Sequence, residues 1–515
     1  MVQPAAGRRA LAPVASAVVA VTAAAALLRF WAIGRQGFWY DEATTAWLLR
    51  GSLGQMLARL PHTESTPPLY YLVAWGWVRL FGDTETGLRS LSALAGIATV
   101  PVAFAAARTL AGRRVALLAA GLVAVNPFLV WYSQEARSYA LLVFTSALAL
   151  WLFARVRARP TAGGLALWAA AAVASLCTHY FAVFLVAPQA ILLLADRRVP
   201  VRWRLGAVAG VGVPALALFV LARAQSVRTY YFIHTPLGVR VEQIPQFFIA
   251  GFTPPATRAV LLVGGVAVLA GCALLVLRAD RAELRAALVA GGLGGAAVLV
   301  PVVLAVGGAD YLNARNVIAA LVPLLIALAC GFAASRARLV GAAAAMVLVV
   351  VSLAMVMAVP GDAGAQRAHW QEVAKELRFT GRPRAIMLLG AHTWSRILGF
   401  YLRDIWWDPP HGRRVSEIDV LRRSASYGAC PVVVWWGPSC DSAPHPPLAH
   451  PPAPGFRFAS ETRVAGFAID RYVSPRAVRL YAHAPFEHRV PADSVVSYRQ
   501  RGRLMVMPRK APPVP

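Results

Sequence analysis

Charged residues are scarce in this chain of 515 residues, of which 14% are charged and 58% apolar. The charges lie in clusters that are separated by long uncharged segments. This composition is not that of a typical water-soluble globular protein and indicates an integral membrane protein. The net charge of +28 comes mostly from basic loops and a basic tail, and no recognised nucleic-acid-binding motif accompanies it, so we expect no nucleic-acid partner.

The sequence also has few cysteines, and none of the five stands in a CxxC or His-rich pattern typical of a metal site. Cys177, Cys272 and Cys330 fall in apolar runs, where a thiol is simply a small apolar group. Cys430 and Cys440 bracket "PVVVWWGPS" in a region that we predict to be exported. The sequence is compatible with a disulfide between them and with two free thiols.

Long runs free of Asp, Glu, Lys and Arg identify the candidate membrane spans, because a hydrocarbon core about 30 Å thick requires about 20 apolar residues per helix. Eleven such runs lie near 11–28, 90–107, 115–133, 138–154, 160–177, 180–195, 205–222, 259–277, 286–309, 317–335 and 339–361. The fifth and sixth form one uncharged stretch, which we divide at "THY". The first run, preceded by two arginines, could be a signal peptide, but ten further runs favour a retained anchor.

The distribution of basic residues predicts the topology, because Lys and Arg collect in short cytoplasmic loops. Clusters occur at every second loop: Arg8 and Arg9, 108–114, 155–159, 197–204, 278–285 and 336–338. This pattern predicts a multi-pass protein with a cytoplasmic N-terminus and an extracytoplasmic C-terminus. The Ala- and Arg-rich composition indicates a bacterial plasma membrane.

Two regions outside the predicted spans are long enough to be structured. Residues 34–89 form a first external loop with two amphipathic segments, 42–60 and 69–81, which we interpret as interfacial helices. After residue 361 the apolar runs shorten to strand length, so residues 362–515 are predicted to form a small extracytoplasmic α/β domain with a loose tail. Residues 1–361 then form the transmembrane domain.

The stretch "GFWYDEATTAW" places Asp41 and Glu42 side by side, just after the first apolar run and between aromatic residues. One interpretation is a solvated anchor at the membrane edge. The other is a general base held where a lipid-linked substrate presents its head group.

Further polar residues interrupt the external ends of apolar segments and are candidate members of the same substrate cavity. They are Tyr40, His62, Glu64, Tyr132, Gln134, Glu135, His179, Tyr311 and Asn313, with Arg137 and Arg315 as candidate phosphate ligands. Charge near membrane depth is costly, so such residues usually pair or serve a site. The structural alternatives are a Glu135–Arg137 clamp between helices, a helix-end role for His179 and headgroup contact for Arg315.

An ordered series of motifs resembles the polytopic GT-C glycosyltransferases of the protein-mannosyltransferase and lipid A aminoarabinose-transferase type. The series is "FWYDEA", "TPPLYY", "LFGDTETGLRSLSALAG", "NPFLVWYSQEARSYAL", "THYFA" and "ARNVIAALVPLLIALACG", covering roughly residues 25 to 335. The resemblance implies the GT-C fold, a polyprenyl-phosphate sugar donor and inversion at the anomeric carbon. It also implies that Asp41 is the catalytic acid residue of the first loop and Glu42 the second acidic position.

The sequence therefore predicts a membrane glycosyltransferase that transfers sugar to a hydroxyl of an extracytoplasmic glycolipid, wall polysaccharide or protein. The mechanism requires no cofactor, and a divalent ion near Glu42 or Glu64 is an alternative. A flippase for lipid-linked sugars and a non-catalytic subunit of a cell-envelope assembly are the rival hypotheses.

Overall fold

The computed structural model describes residues 5–225, 235–251, 257–361, 367–378, 382–389, 393–403, 405–407, 412–424, 445–480 and 505–508. The chain divides into two compact units. The helical unit comprises residues 1–34 and 48–365, and the sheet unit comprises residues 35–47 and 366–515. Residues 35–47, which we assigned to the first external loop of the transmembrane domain, thus group with the C-terminal residues.

Helices account for nearly all regular structure in the helical unit. They are α1 (Ala5–Phe30), α3 (Leu53–Thr63), α4 (Leu69–Phe81), α5 (Glu85–Ala111), α6 (Arg113–Val125), α7 (Pro127–Ser133), α8 (Tyr139–Ala158), α9 (Ala162–Thr178), α10 (Val183–Ala195), α11 (Val201–Gln225), α12 (Leu237–Ala250), α13 (Thr257–Arg278), α14 (Arg281–Val306), α15 (Leu321–Phe332) and α16 (Arg338–Ala358). Helix α2 (Tyr40–Leu49) contains residues of both units.

Each of the eleven predicted spans coincides with an apolar helix or a pair of helices. Within the described residues, six helices are long and apolar enough to cross a membrane, and a seventh crossing is possible if α6 and α7, bent by 56°, form one broken span. Four shorter apolar helices cover 14–30, 162–178, 180–195 and 318–332. The structure thus supports six or seven spans by length and composition, and the count of eleven stays a prediction.

Two sequence predictions differ from the structure because of local capping. The predicted span 115–133 is not straight, since Asn126 ends α6 and accepts the amide N–H of Leu129, and Pro127 at the start of α7 has no N–H to continue the ladder. The predicted helix 42–60 is broken after Leu49, where Ser52 and Gln55 form a reciprocal capping box that starts α3. In contrast, α4 has the predicted bounds.

Helices α5 and α8 form the interior of the helical unit, since 61% and 72% of the most apolar 18-residue stretch of each helix is buried. Close packing of α5 depends on Gly96, because a Cβ there would lie 2.1 Å from Ser133 Oγ and 2.8 Å from Arg29 Nε. By contrast, only 6% of the corresponding stretch of α11 is buried, as expected for a helix that faces lipid.

The sheet unit contains a six-stranded sheet in the order β2-β6-β1-β3-β5-β4 and two short helices, α17 (Trp370–Glu376) and α18 (Thr393–Leu402). Its strands are β1 (Arg384–Leu389), β2 (Ile405–Trp407), β3 (Arg413–Arg423), β4 (Arg457–Val464), β5 (Phe467–Leu480) and β6 (Met505–Pro508). Strands β1 and β3 are parallel, and β1–β6, β2–β6, β3–β5 and β4–β5 are antiparallel.

Three predicted elements of this unit can be compared with the sheet. The segments "AIMLLG" and "FAIDRYV" largely correspond to β1 and to the first half of β5, and "HWQEVAKELRF" contains α17. The predicted strand "PVVVWW" and the candidate disulfide between Cys430 and Cys440 lie outside the described residues. Met387, Ile418, Val420 and Tyr472 form part of the apolar core against the sheet.

Candidate active site

The acidic pair lies in the first turn of α2, where the positive end of the helix dipole favours carboxylates. Asp41 is half-buried, whereas Glu42 is fully buried. The turn is reinforced by Thr45, whose hydroxyl donates to the backbone carbonyl of Asp41 at 3.0 Å. The two adjacent carboxylates therefore stand in different environments, and the more accessible one is Asp41.

Glu42 forms an ion pair with Arg367 of the same unit, with 3.2 Å between Arg367 Nη1 and Glu42 Oε2. The Glu42 side chain is 0% exposed and that of Arg367 11% exposed. Sequence reasoning missed Arg367, because 325 residues separate the partners and no local pattern links them. Tyr40 is another predicted cavity residue, and the guanidinium of Arg396 lies over its ring, 5.9 Å from the ring centroid.

A second buried polar cluster lies in the helical unit and begins with Glu64 and Arg137. Glu64 follows the last residue of α3 and accepts two hydrogen bonds from Arg137, at 3.0 Å from Nη1 and 2.9 Å from Nη2. Arg137 stands in the tight connection between α7 and α8, and its backbone carbonyl accepts a hydrogen bond from Ser92 at 3.4 Å. Arg137 thus forms a Glu–Arg pair with Glu64, and Glu135, the partner that the sequence analysis considered, is buried in the same connection.

His179 and Arg315 meet around the ring of Tyr139. The rings of Tyr139 and His179 are 5.8 Å apart, and the guanidinium of Arg315 lies 5.6 Å from the centroid of Tyr139. His179 lies between α9 and α10, where its Nδ1 accepts the amide N–H of Phe181 at 3.2 Å. Its remaining proton is consequently on Nε2, which makes that atom a hydrogen-bond donor.

Burial lowers the pKa of His179 to about 3, and the positive charges of Arg315 and Arg137 act in the same direction. The imidazole is therefore neutral at physiological pH. Guanidinium groups such as those of Arg137 and Arg315 can bind phosphate oxygens through charge-assisted hydrogen bonds.

The segment that carries Arg315 is fastened by Arg240 of α12, another residue that the sequence analysis did not single out. Arg240 pairs with both carboxylate oxygens of Asp310, at 2.7 Å and 2.5 Å, and donates to the carbonyl of Leu312 at 2.8 Å. These hydrogen bonds hold the pKa of Asp310 below its ordinary value. Further along, Asn313 Oδ1 accepts the backbone N–H of Arg315 at 3.2 Å, so this predicted cavity residue orders the segment locally.

Four other predicted cavity residues have different environments. The Gln134 amide donates to three carbonyls at the end of α1, among them that of Trp31 at 2.8 Å, so it caps a helix. Tyr132 is buried 4.8 Å from the ring of Tyr139. His62 and Tyr311 are exposed.

A metal ion has no evident protein site in the portion of the chain that is described. No group of three or more His, Cys, Asp and Glu side chains there could hold one.

Residues 65–222 match the family described as dolichyl-phosphate-mannose-protein mannosyltransferase. The match includes Arg137 and His179 and confirms the resemblance to GT-C glycosyltransferases that the motif series indicated, over the segment that it covers. No curated protein sequence matches the chain.

Several solved structures are similar to this chain at low identity. ArnT from Cupriavidus metallidurans bound to undecaprenyl phosphate is 16% identical, with 75% of this chain and 84% of that chain covered and a TM-score of 0.48. The protein O-mannosyltransferase Pmt1-Pmt2 complex of S. cerevisiae is 17% identical, with coverages of 43% and 34% and a TM-score of 0.33. The Archaeoglobus fulgidus oligosaccharyltransferase is 13% identical, with coverages of 70% and 55% and a TM-score of 0.43.

Proposed function

We propose that this protein is a membrane glycosyltransferase that moves a sugar from a polyprenyl-phosphate donor to a hydroxyl group of an extracytoplasmic acceptor. The observation that carries the proposal is the buried cluster of Arg137, Arg315 and neutral His179, in which Glu64 pairs with Arg137. Buried charge is costly unless it is paired or serves a ligand, and guanidinium groups bind the phosphate of a lipid-linked phosphodiester well.

On the donor side, we propose that Arg315 binds the phosphate and that the Nε2–H of His179 donates a hydrogen bond to it. Phosphate is already a good leaving group, so its departure requires stabilisation of negative charge more than protonation. Arg137, held in place by Glu64, contributes the second positive charge. Tyr132, Glu135 and Asn313 stay proposed members of the cavity wall.

On the acceptor side, we propose that Asp41 is the general base. Its carboxylate takes the proton of the acceptor hydroxyl, the hydroxyl oxygen forms a bond to the anomeric carbon, and the bond from that carbon to the phosphate oxygen breaks. This single displacement inverts the anomeric centre and needs no metal ion or other cofactor. Glu42 forms an ion pair with Arg367 and so stabilises the helical turn that contains Asp41.

The proposed topology has eleven spans: the six long helices, the bent α6–α7 pair and the four shorter apolar helices. The N-terminus is cytoplasmic and the region after residue 361 extracytoplasmic, in a bacterial plasma membrane. The partners are then the bilayer, the lipid-linked donor and an acceptor whose class the proposal leaves unspecified.

The test is covalent transfer by the purified full chain in lipid nanodiscs. Undecaprenyl-phosphate-linked radiolabelled mannose or arabinose is supplied in separate reactions, with cell-envelope extract as acceptor, and released polyprenyl phosphate is measured. We expect Asp41→Asn to abolish transfer. The matched control is Glu85→Gln, because Glu85 is also a partly buried acid in the first turn of a helix.

Two results would overturn the proposal. Movement of labelled donor between leaflets of proteoliposomes without covalent transfer would support a flippase. Full transfer by Asp41→Asn, or unchanged cell-envelope product with that variant in cells, would remove Asp41 from the mechanism and favour the non-catalytic subunit.

A further inference from the structure

Two hydrogen bonds connect the segment that precedes Asp41 to the C-terminal part of the sheet unit. The amide N–H of Phe38 donates to the hydroxyl of Tyr401 at 2.8 Å. The amide N–H of Arg367 donates to Gln36 Oε1 at 3.1 Å. Residues 36–38 are therefore connected to two separate places in the chain beyond residue 366.

Side-chain packing reinforces these hydrogen bonds. The Phe38 ring is fully buried and meets the ring of Phe400 edge to face, with centroids 5.0 Å apart. Gly37 permits the close approach, since a Cβ there would lie 3.3 Å from both the carbonyl oxygen of Ala368 and the amide nitrogen of Trp370. The two backbones are thus nearly in contact where the segment enters α2.

The ion pair between Glu42 and Arg367 involves the residue next to Asp41 in the chain. It is almost completely buried, and the Arg367 guanidinium also lies 5.9 Å from the centroid of Trp39. Contacts at Phe38 and at Glu42 therefore bracket the first turn of α2 from both sides. Because Asp41 is adjacent to Glu42 in that turn, these two attachments restrain the backbone that carries its side chain.

We propose that Arg367 is a positioning residue for Asp41, and that the C-terminal region acts in the reaction by holding the catalytic carboxylate through Arg367 and Tyr401. This inference rests on the proposed function, which assigns the base to Asp41. Arg367 does not touch the reacting atoms. Its effect is on the orientation of the base, where a displacement of about 1 Å costs on the order of 100-fold in rate.

The experiment measures kcat and the donor KM of full-length Arg367→Met, Arg367→Lys and Tyr401→Phe in nanodiscs. For Arg367→Met we expect kcat to fall about 10- to 100-fold with donor KM changed less than about twofold, because the proposed donor-binding residues belong to the helical unit. Arg367→Lys keeps the positive charge and should recover most of kcat. Tyr401→Phe removes only the hydroxyl that accepts the Phe38 amide, so it folds with its ring packing intact and should lower kcat severalfold.

The control is Arg457→Met, which removes an exposed arginine of β4 and should leave both constants unchanged. Hydrogen exchange provides a readout besides activity, since loss of the Tyr401 hydroxyl should speed exchange of the Phe38 amide. Wild-type protein that transfers no sugar overturns the proposed function itself. The positioning role alone is overturned if the wild type is active and Asp41→Asn is inactive, but Arg367→Met and Tyr401→Phe both keep the wild-type kcat.

Discussion

Breaking the Glu64–Arg137 pair separates its contribution to folding from its contribution to sugar transfer. The side chains of Arg137 and Glu64 are 8% and 4% exposed, and the two short hydrogen bonds between them are bidentate. Arg137→Met leaves the Glu64 carboxylate buried without its partner. Removal of one member of a buried pair typically costs about 3–5 kcal/mol of unfolding free energy.

Replacing both members with apolar residues has a different expected result. The double variant Glu64→Leu with Arg137→Met removes both charges of this pair, so its unfolding free energy should return to within about 1 kcal/mol of the wild type. Transfer should stay at least about 100-fold below wild type, because the proposed donor site has lost one of its two arginines. Stability and activity would thereby be uncoupled.

The assay is detergent-induced unfolding of the full chain, combined with the transfer reaction in nanodiscs. The Arg50–Asp83 pair provides the control, since its hydrogen bond is 2.7 Å long but its side chains are 31% and 26% exposed. Arg50→Met should cost less than about 1 kcal/mol, as is usual for exposed ion pairs.

Additive destabilisation by the two substitutions would refute the reasoning about burial, because independent sites add to within about 0.5 kcal/mol. Wild-type transfer by the double variant would refute the donor-site role of Arg137 while leaving its structural role intact.

Three further predictions follow from local geometry. Gly96→Ala should destabilise the protein by about 1–3 kcal/mol because its Cβ would collide with Ser133, whereas Gly121→Ala, with no atom within 4 Å, should be neutral or stabilising in unfolding measurements. Folding lowers the pKa of His179 from about 6.5 to about 3, so as the pH falls the unfolded chain takes up the proton before the folded protein does. The stability of the wild type should therefore decrease as the pH falls from about 6.5 to about 3. In thermal scans, His179→Gln should reduce this decrease. Arg240→Met should raise donor KM severalfold at similar kcat, since the segment bearing the proposed phosphate ligand loses its anchor; an unchanged KM would contradict this.

The candidate site was predictable from the sequence to the extent that unusual residue types mark it. Arg137, His179 and Arg315 stood out because each interrupts or borders an apolar run, and the structure brings all three into one buried cluster. Gln134 stood out for the same reason, yet it caps α1. Position in the chain identified polar residues at helix ends but did not distinguish a helix cap from a ligand.

The sequence by itself determined the apolar segments, because hydropathy acts between near neighbours. The break before Pro127 and the helix start after Ser52 are also set by local capping, although the sequence analysis predicted continuous segments there. Only the tertiary structure decided which charges pair. Glu64 finds Arg137 73 residues away, Arg240 finds Asp310 70 residues away, and Glu42 finds Arg367 325 residues away. Such partners are selected by the packing of whole helices and strands around a buried charge, which leaves no periodic signal along the chain.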